Sequence, residues 1–292
     1  MAVGNATITT GIKFLPQWWA EKIQIAQEFS RNFIKRINTD YGGGDIKSSG
    51  DTVEIMHLSN LTDKVKAVDT DVAFEAITET GQSLLVNQYR YAAFLVEDAL
   101  DIQALPDLAS LYQKKIAYAL SRTQETFMTN LVQSLADSVG TLLVELTVDD
   151  YARAWQYLAD AGIIDDGNLE SDFSIFLSPA SAGAAMKIDE FTRTDYKGEG
   201  FGPVGKILNI PVFVSNLLGG TAAAGHHNCM MHRDAFAFVE QKTQVKSDYI
   251  LEKVGFGVVG FSVYGGAELA RPPEDAGGGT MEDDRGVCLL SL

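Results

Sequence analysis

The sequence predicts an α+β protein, and three observations carry that prediction. Between Pro106 and Gly140 there is no glycine or proline, and Leu108, Leu111, Tyr112, Ile116, Leu120, Phe127, Leu131, Val132 and Leu135 recur at three-and-four spacing. Two strand-like runs, Thr52–Met56 and Ser83–Val96, flank a long polar excursion. Beyond residue 148, short amphipathic helices alternate with short apolar strands.

The first residues, Met1 to Thr7, carry neither the basic region nor the apolar core of a signal peptide, and no apolar run reaches the ~20 residues that cross a bilayer. The expectation is a soluble chain made in the cytoplasm. Residues 16 to 37 read as an amphipathic helix that Pro16 starts. Trp18, Trp19, Ile23, Ala26, Phe29, Phe33, Ile34 and Ile37 form its apolar side, with Lys22, Arg31, Lys35 and Arg36 opposite. Two readings stand: a helix docked on its own core, or an arm packed on a neighbouring subunit. The first fifty residues hold six basic and four acidic side chains, the one mildly basic section of the chain.

Tyr41 to Asp45 is a glycine break, and Ser48 to Asp51 is a turn cluster leading into the first strand. In the second strand Leu85, Tyr89, Tyr91, Ala93 and Leu95 share one face at period two, so the two runs are expected to form one long hairpin. Its tip, Ser59 to Gln82, mixes Asp63, Lys64, Lys66, Asp69, Asp71, Glu75 and Glu79 and has too few large apolar residues for a core of its own. It is either a solvated loop or an arm ordered by a partner. Pro106 suits a first helical position and Asp107 the positive end of the dipole, so residues 106 to 140 are expected to form a single helix of about 45 Å.

Further on, Val148–Ala161 reads as a helix, Phe173–Leu177 as a buried strand, and Ser178–Pro179 as the start of a helix to Ile188. Ile207–Val214 and Cys229–Val239 read as strands, with a loop from Gly219 to Gly225 between them. Glycine-punctuated residues continue to Ala270, followed by a linker and a final strand around Val287–Leu290.

The 292 residues carry a net charge of -16, which excludes a broad nucleic-acid footprint or attraction to anionic lipid. Cys229 and Cys288 are far apart in sequence and are expected to stay reduced. Gly200 to Gly205 matches the letters of a dinucleotide loop. However, Pro203 sits inside it and a strand follows, so it reads as structural. His226, His227, Cys229 and His232 could ligate zinc, but alternation along a strand sends Cys229 and His232 to opposite faces. The acid pairs Asp149–Asp150 and Asp165–Asp166 fall at caps or turns. No hydrolase elbow, phosphate loop or zinc-protease helix is present, so no catalytic, cofactor-binding or metal residue is nominated.

The order of parts, taken with several stretches, resembles the major capsid protein of tailed double-stranded DNA phages, the Hong Kong 97-type fold. Phe14 to Trp19 with Lys22–Ile23 resembles its arm, and Tyr41–Gly42 through Gly50–Ile55 the entry to its extended loop. Gly202 to Leu217 resembles its glycine loop and strand, and Arg233–Ala237 and Tyr264–Pro272 its later strands. Asn209 stands where the family commonly has glycine, a position asparagine tolerates because it visits positive φ.

The resemblance implies an N-terminal arm over 1–45, an extended loop over 46–98, a peripheral domain with a spine helix over 99–141, an axial α/β domain over 142–242, and returning strands with a tail over 243–292. It implies a non-enzymatic protein that self-assembles as hexamers and pentamers into an icosahedral virion shell, built in the host cytoplasm. The expected inter-subunit contacts are Trp18, Trp19, Arg31, Lys35, Arg36, Asp63, Lys64, Lys66, Asp69, Asp71 and Glu75. A separate scaffolding protein, a portal, loosely held double-stranded DNA and a decoration protein are the implied partners, with no membrane. Some relatives crosslink a loop lysine to a late asparagine, but no asparagine follows Asn228, so Lys64 and Lys66 are not expected to crosslink. Two rival readings are an encapsulin-like nanocompartment shell and a metal-dependent enzyme using the His226, His227, Cys229 and His232 cluster.

Overall fold

The computed structural model describes residues 31–42, 51–58, 61, 63–72, 74, 79–97, 108–164, 172–188, 205–221, 223–271 and 284–292. Trp18, Trp19, Glu75, Asp165–Asp166, the glycine loop through Val204 and the linker at 272–283 lie outside them. In chain order the strands and helices are β1 (Thr52–Leu58), β2 (Glu79–Leu85), β3 (Gln88–Glu97), α1 (Leu108–Asn130), β4 (Asp137–Gly140), α2 (Val148–Asp160), β5 (Phe173–Leu177) and α3 (Pro179–Ala185). Then follow β6 (Lys206–Ile207), β7 (Ile210–Val214), β8 (Gly220–Thr221), β9 (Gly225–His232), β10 (Phe236–Ile250), β11 (Gly255–Glu268) and β12 (Gly286–Ser291).

The long helix is shorter than its pattern suggests. α1 covers 23 residues, about 35 Å, and closes in a 3-10 turn at Leu131–Ser134. Ser134, Asp137 and Ser138 are weak helix formers, and residues 137–140 find better partners by pairing in parallel with β12. Gly140 does end an element, but the element is β4. Its φ is +88°, and a Cβ there would lie 2.5 Å from the Leu290 carbonyl oxygen.

The expected single hairpin strand is also two strands. β1 pairs with β2 from Thr52↔Leu85 to Leu58↔Glu79, after which the chain crosses at Val86–Asn87 and β3 joins β11 instead. Within β3, Ala92, Phe94 and Val96 lie on the side of α1, where Ile116 and Leu120 pack with Val258. The period-two face of Tyr89 and Tyr91 is therefore the open one, and these rings are 68% and 72% exposed.

Cys229–Val239 likewise divides. β9 ends at His232, a 3-10 turn spans Arg233–Ala235, and β10 begins in another sheet. The β10–β11–β3 sheet is antiparallel, and the strand order of the mixed sheet is β4-β12-β9-β5-β7-β6. Its central strand β5 is buried along its whole length. On one side Tyr151, Ala154 and Leu158 of α2 and Ala182 and Ala185 of α3 cover Ile175, Val212, Met230 and Leu289. On the other, Phe33, Met128 and Val132 cover Phe176, Cys229, Met231 and Cys288, so α1 and the segment from Phe33 to Ile37 close the second face.

Local chemistry explains the element ends that the sequence foresaw. Ser178 Oγ accepts the Ser181 amide, and Pro179 opens α3. Asp150 accepts the Thr147 amide at 2.8 Å at the start of α2. The stretch Ile207–Val214, expected as one strand, is instead a tight hairpin: Leu208 and Asn209 turn between β6 and β7 with φ of 51° and 65°, the left-handed region asparagine tolerates.

Candidate assembly surface

The residues expected to contact neighbours fall on two parts of the fold: the segment leading out of the N-terminal region, and the excursion between β1 and β2. The first is fastened at its root. Glu125 on α1 is buried, and its carboxylate accepts the amides of Phe33 at 2.6 Å and Ile34 at 3.3 Å. Burial raises the Glu125 carboxyl above its ordinary range, against the opposing pull of those amides and of the Arg31 charge. Arg31 donates to Gln124 at 2.9 Å and to Glu240 at 3.2 Å, and Gln124 passes the chain of bonds to Ser262 and Thr243. Phe33 packs tilted against Phe176, ring centroids 4.8 Å apart, and Arg36 lies 4.6 Å over Phe213. Two residues further on, Asn38 makes a parallel bridge to Ala237 on the outer edge of β10.

The described end of the expected helix over 16–37 is thus a 3-10 turn at Ile34–Arg36 followed by extended chain. A groove of about 550 Å³ lies beside it, lined by Lys35, Ile37, Thr39, Arg233 and Lys242. Of the basic residues expected to contact neighbours, Arg31 and Arg36 grip their own chain, and Arg31 and Lys35 both line this groove.

The second part is held at its base and open at its tip. Ile55, Leu84 and Val86 pack with Ala237, Val239 and Leu269, and Gln82 clamps the chain after β11 by bonding to Glu268 O at 2.6 Å and Ala270 N at 3.0 Å. Beyond the base, Asp63, Lys64, Lys66, Asp69 and Asp71 are all exposed. So are Val65, Val68 and Phe74, at 99%, 97% and 95%. A side chain of this size gains about 1.5–3 kcal/mol on full burial, so a loop carrying three of them in water is a surface awaiting cover.

The cysteine–histidine cluster does not form a site. Cys229 and His232 take opposite faces of β9: Cys229 joins the Phe33 cluster, whereas His232 packs edge-on against Phe173 at 5.1 Å. His232 Nδ1 accepts the Asp234 amide, and burial lowers its pKa, countered by Asp234 and Asp172. Among the described residues, no three His, Cys, Asp or Glu side chains are grouped to hold a metal ion.

Gln124, Glu125 and Asn228 had no signal of their own in the sequence, except that Gln124 occupies the apolar row Ile116, Leu120, Met128, Val132 at i+4 spacing. A polar residue in such a row is buried only if bonded, and it is.

The arrangement recurs in solved structures. One of Mycobacterium phage Che8 matches with a TM-score of 0.74 at 22% identity, covering 94% of this chain and 97% of that one. The capsid of cyanophage P-SCSP1u matches with 0.73 at 14% identity over 100% and 97%, and the mature capsid of bacteriophage PhiM1 with 0.72 at 10% over 95% and 92%. The chain has the phage capsid fold. This agrees with the α+β class and the fold expected from the sequence. No protein-family model and no curated protein matches the chain. The match extends over nearly the full length of both chains in each of these comparisons.

Proposed function

We propose that this chain is the major capsid protein of a tailed double-stranded DNA phage, many copies of which close into an icosahedral shell around the genome. One observation carries the reading: a fold shared over nearly the whole length with solved capsid chains, in which the Leu61–Phe74 loop exposes Val65, Val68 and Phe74 almost completely. The work is mechanical. In a shell, the loop laps onto a neighbouring copy, where Val65, Val68, Val72 and Phe74 supply the burial. Asp63, Lys64, Lys66, Asp69, Asp71 and Glu75 supply rim ion pairs, each worth at most about 1 kcal/mol but repeated in every copy.

The arm, with Trp18 and Trp19, reaches along another copy from the root that Arg31, Arg36 and Glu125 hold in place, and Lys35 meets acidic groups there. Residues 1–45 serve as arm and 46–98 as extended loop. The peripheral domain is 99–141 together with the returning strands of 243–292, and the axial domain is 142–242. A charge of -16 keeps the inner surface from holding DNA tightly. The subunit performs no catalysis, assembles in the host cytoplasm with a scaffolding protein and a portal, and offers its outer surface to a decoration protein.

The test is expression of the chain with its scaffolding protein, followed by negative-stain electron microscopy and light scattering. Closed shells are expected. Replacing Asp63–Phe74 by a short glycine–serine linker should leave the thermal transition in place and abolish shells. A stable monomer under all these conditions would overturn the proposal, and loss of the transition in the loop variant would assign the loop to the core instead.

A further inference from the structure

Two thiols at the heart of the mixed sheet face each other, and shell building makes no use of them. Cys229 on β9 and Cys288 on β12 are direct antiparallel partners. The His232 amide donates to the Arg285 carbonyl at 2.9 Å, which sets the phase of the ladder. Hydrogen-bonded pairs then fall at 232/285, 230/287 and 228/289, leaving Cys229/Cys288 at a non-hydrogen-bonded position. Opposed Cα atoms at such positions are about 4.5 Å apart with side chains on the same face, inside the separation a disulfide spans. Both side chains belong to the cluster around Phe33 and Phe176, and both are free thiols.

The two are not equivalent. Cys229 is wholly enclosed, whereas Cys288 has the half-buried His227 beside it, with Nδ1 3.7 Å from Sγ. We propose that Cys229 and Cys288 are a redox pair that hydrogen peroxide converts into an intrachain disulfide, with Cys288 reacting first. Cys288 passes its proton to His227 Nδ1, and its sulfur attacks the terminal peroxide oxygen. The O–O bond breaks, hydroxide leaves and takes the proton back from His227, and the products are Cys288 sulfenic acid and water. The Cys229 sulfur then attacks the sulfenic sulfur, the S–O bond breaks, and the second water leaves with the Cys229 proton. Two thiols have been oxidised by two electrons and the peroxide reduced by two.

Geometry sets this order: Cys229 is the more enclosed and Cys288 has His227 in contact, a base the reaction needs because burial pushes the Cys288 thiol up to about 11 and that of Cys229 further. Burial also lowers the pKa of His227, as does the neighbouring His226, keeping the ring neutral and able to accept a proton at neutral pH. The product ties the strand β12 to β9 across a loop of nearly sixty residues, long enough for crosslinking to restrict the unfolded chain strongly.

The experiment uses the purified full chain under native conditions with hydrogen peroxide, then unfolding in an alkylating agent and peptide mass mapping. Expected are loss of both alkylatable thiols, a linked peptide pair carrying Cys229 and Cys288 two hydrogens lighter than its parts, and a melting temperature higher by roughly 5–10 °C that dithiothreitol reverses. Cys229→Ala should show no shift. Two thiols that remain fully alkylatable, sulfinic or sulfonic acid without linkage, a disulfide joining two chains, or the same shift in Cys229→Ala would each overturn the pairing.

Discussion

Replacing Glu125 by alanine should release the Phe33–Asn38 segment from α1 without unfolding the rest. The carboxylate is bonded to two buried amides, at 2.6 and 3.3 Å, and alanine leaves both without an acceptor. An orphaned buried amide costs about 1–3 kcal/mol, and the two together are partly offset because a desolvated charge is removed, leaving about 3 kcal/mol. That equals roughly a hundredfold in the opening equilibrium of the segment. Hydrogen exchange at the Phe33, Ile34 and Asn38 amides should therefore quicken by about two orders of magnitude, while amides of β5 keep their protection. Unchanged exchange at Phe33 would refute the reasoning.

Glutamine at the same position separates charge from shape. The folded carboxyl lies above its ordinary 4.5, so from 4.5 upward the folded state binds more protons than the unfolded chain. The wild-type protein must then lose stability relative to Glu125→Gln as pH rises through that window, and the difference must level off above the folded value. Urea denaturation at a series of pH values reads this directly, and an opposite slope would mean that the amides of Phe33 and Ile34 outweigh burial.

Three other substitutions probe separate parts of the fold. Asn228→Ala removes an acceptor for the Ser178 amide and a donor to Ser181, Ser291 and the Leu289 carbonyl, all buried, and should cost about 3–5 kcal/mol in thermal unfolding. Gly265→Ala drives a Cβ onto the Leu85 carbonyl and to 2.7 Å from Val86 Cα; backbone cannot give way cheaply, so a loss of at least about 2 kcal/mol is expected in the same measurement. Leu143 is held at φ +67° on the surface, and Leu143→Asn should raise stability by about 0.5–1 kcal/mol; a lower melting temperature would count against strain at that residue.

How much of this was visible in the residues follows from how local each cause is. The helical period over 108–130, the cap at Ser178, the buried run Phe173–Leu177 and the final strand at 287–290 depend on neighbours within a few positions, and each was legible. The end of α1 was not, because residues 137–140 become a strand only through a partner roughly 150 residues later. The break at Val86–Asn87 was hidden for a different reason. A strand that changes partner keeps its alternation, and alternation does not say which face α1 will cover. Glu125 looked like any helical surface acid until Phe33 and Ile34 arrived beside it. Cys229 and Cys288 are free thiols, as expected, but their facing each other was not legible, because only the ladder between β9 and β12 brings residues 59 positions apart into register.

The place of β12 has a consequence for how the polypeptide emerges from the ribosome. Residues 286–291 form an inner strand, with 137–140 on one side and 225–232 on the other. Until those six residues are synthesised and free of the exit tunnel, β4 has no partner and β9 keeps an open edge along most of its length. The mixed sheet therefore cannot close until residues 286–291 have been made, roughly 150 residues after β4, and until then the open edge of β9 is exposed to premature association.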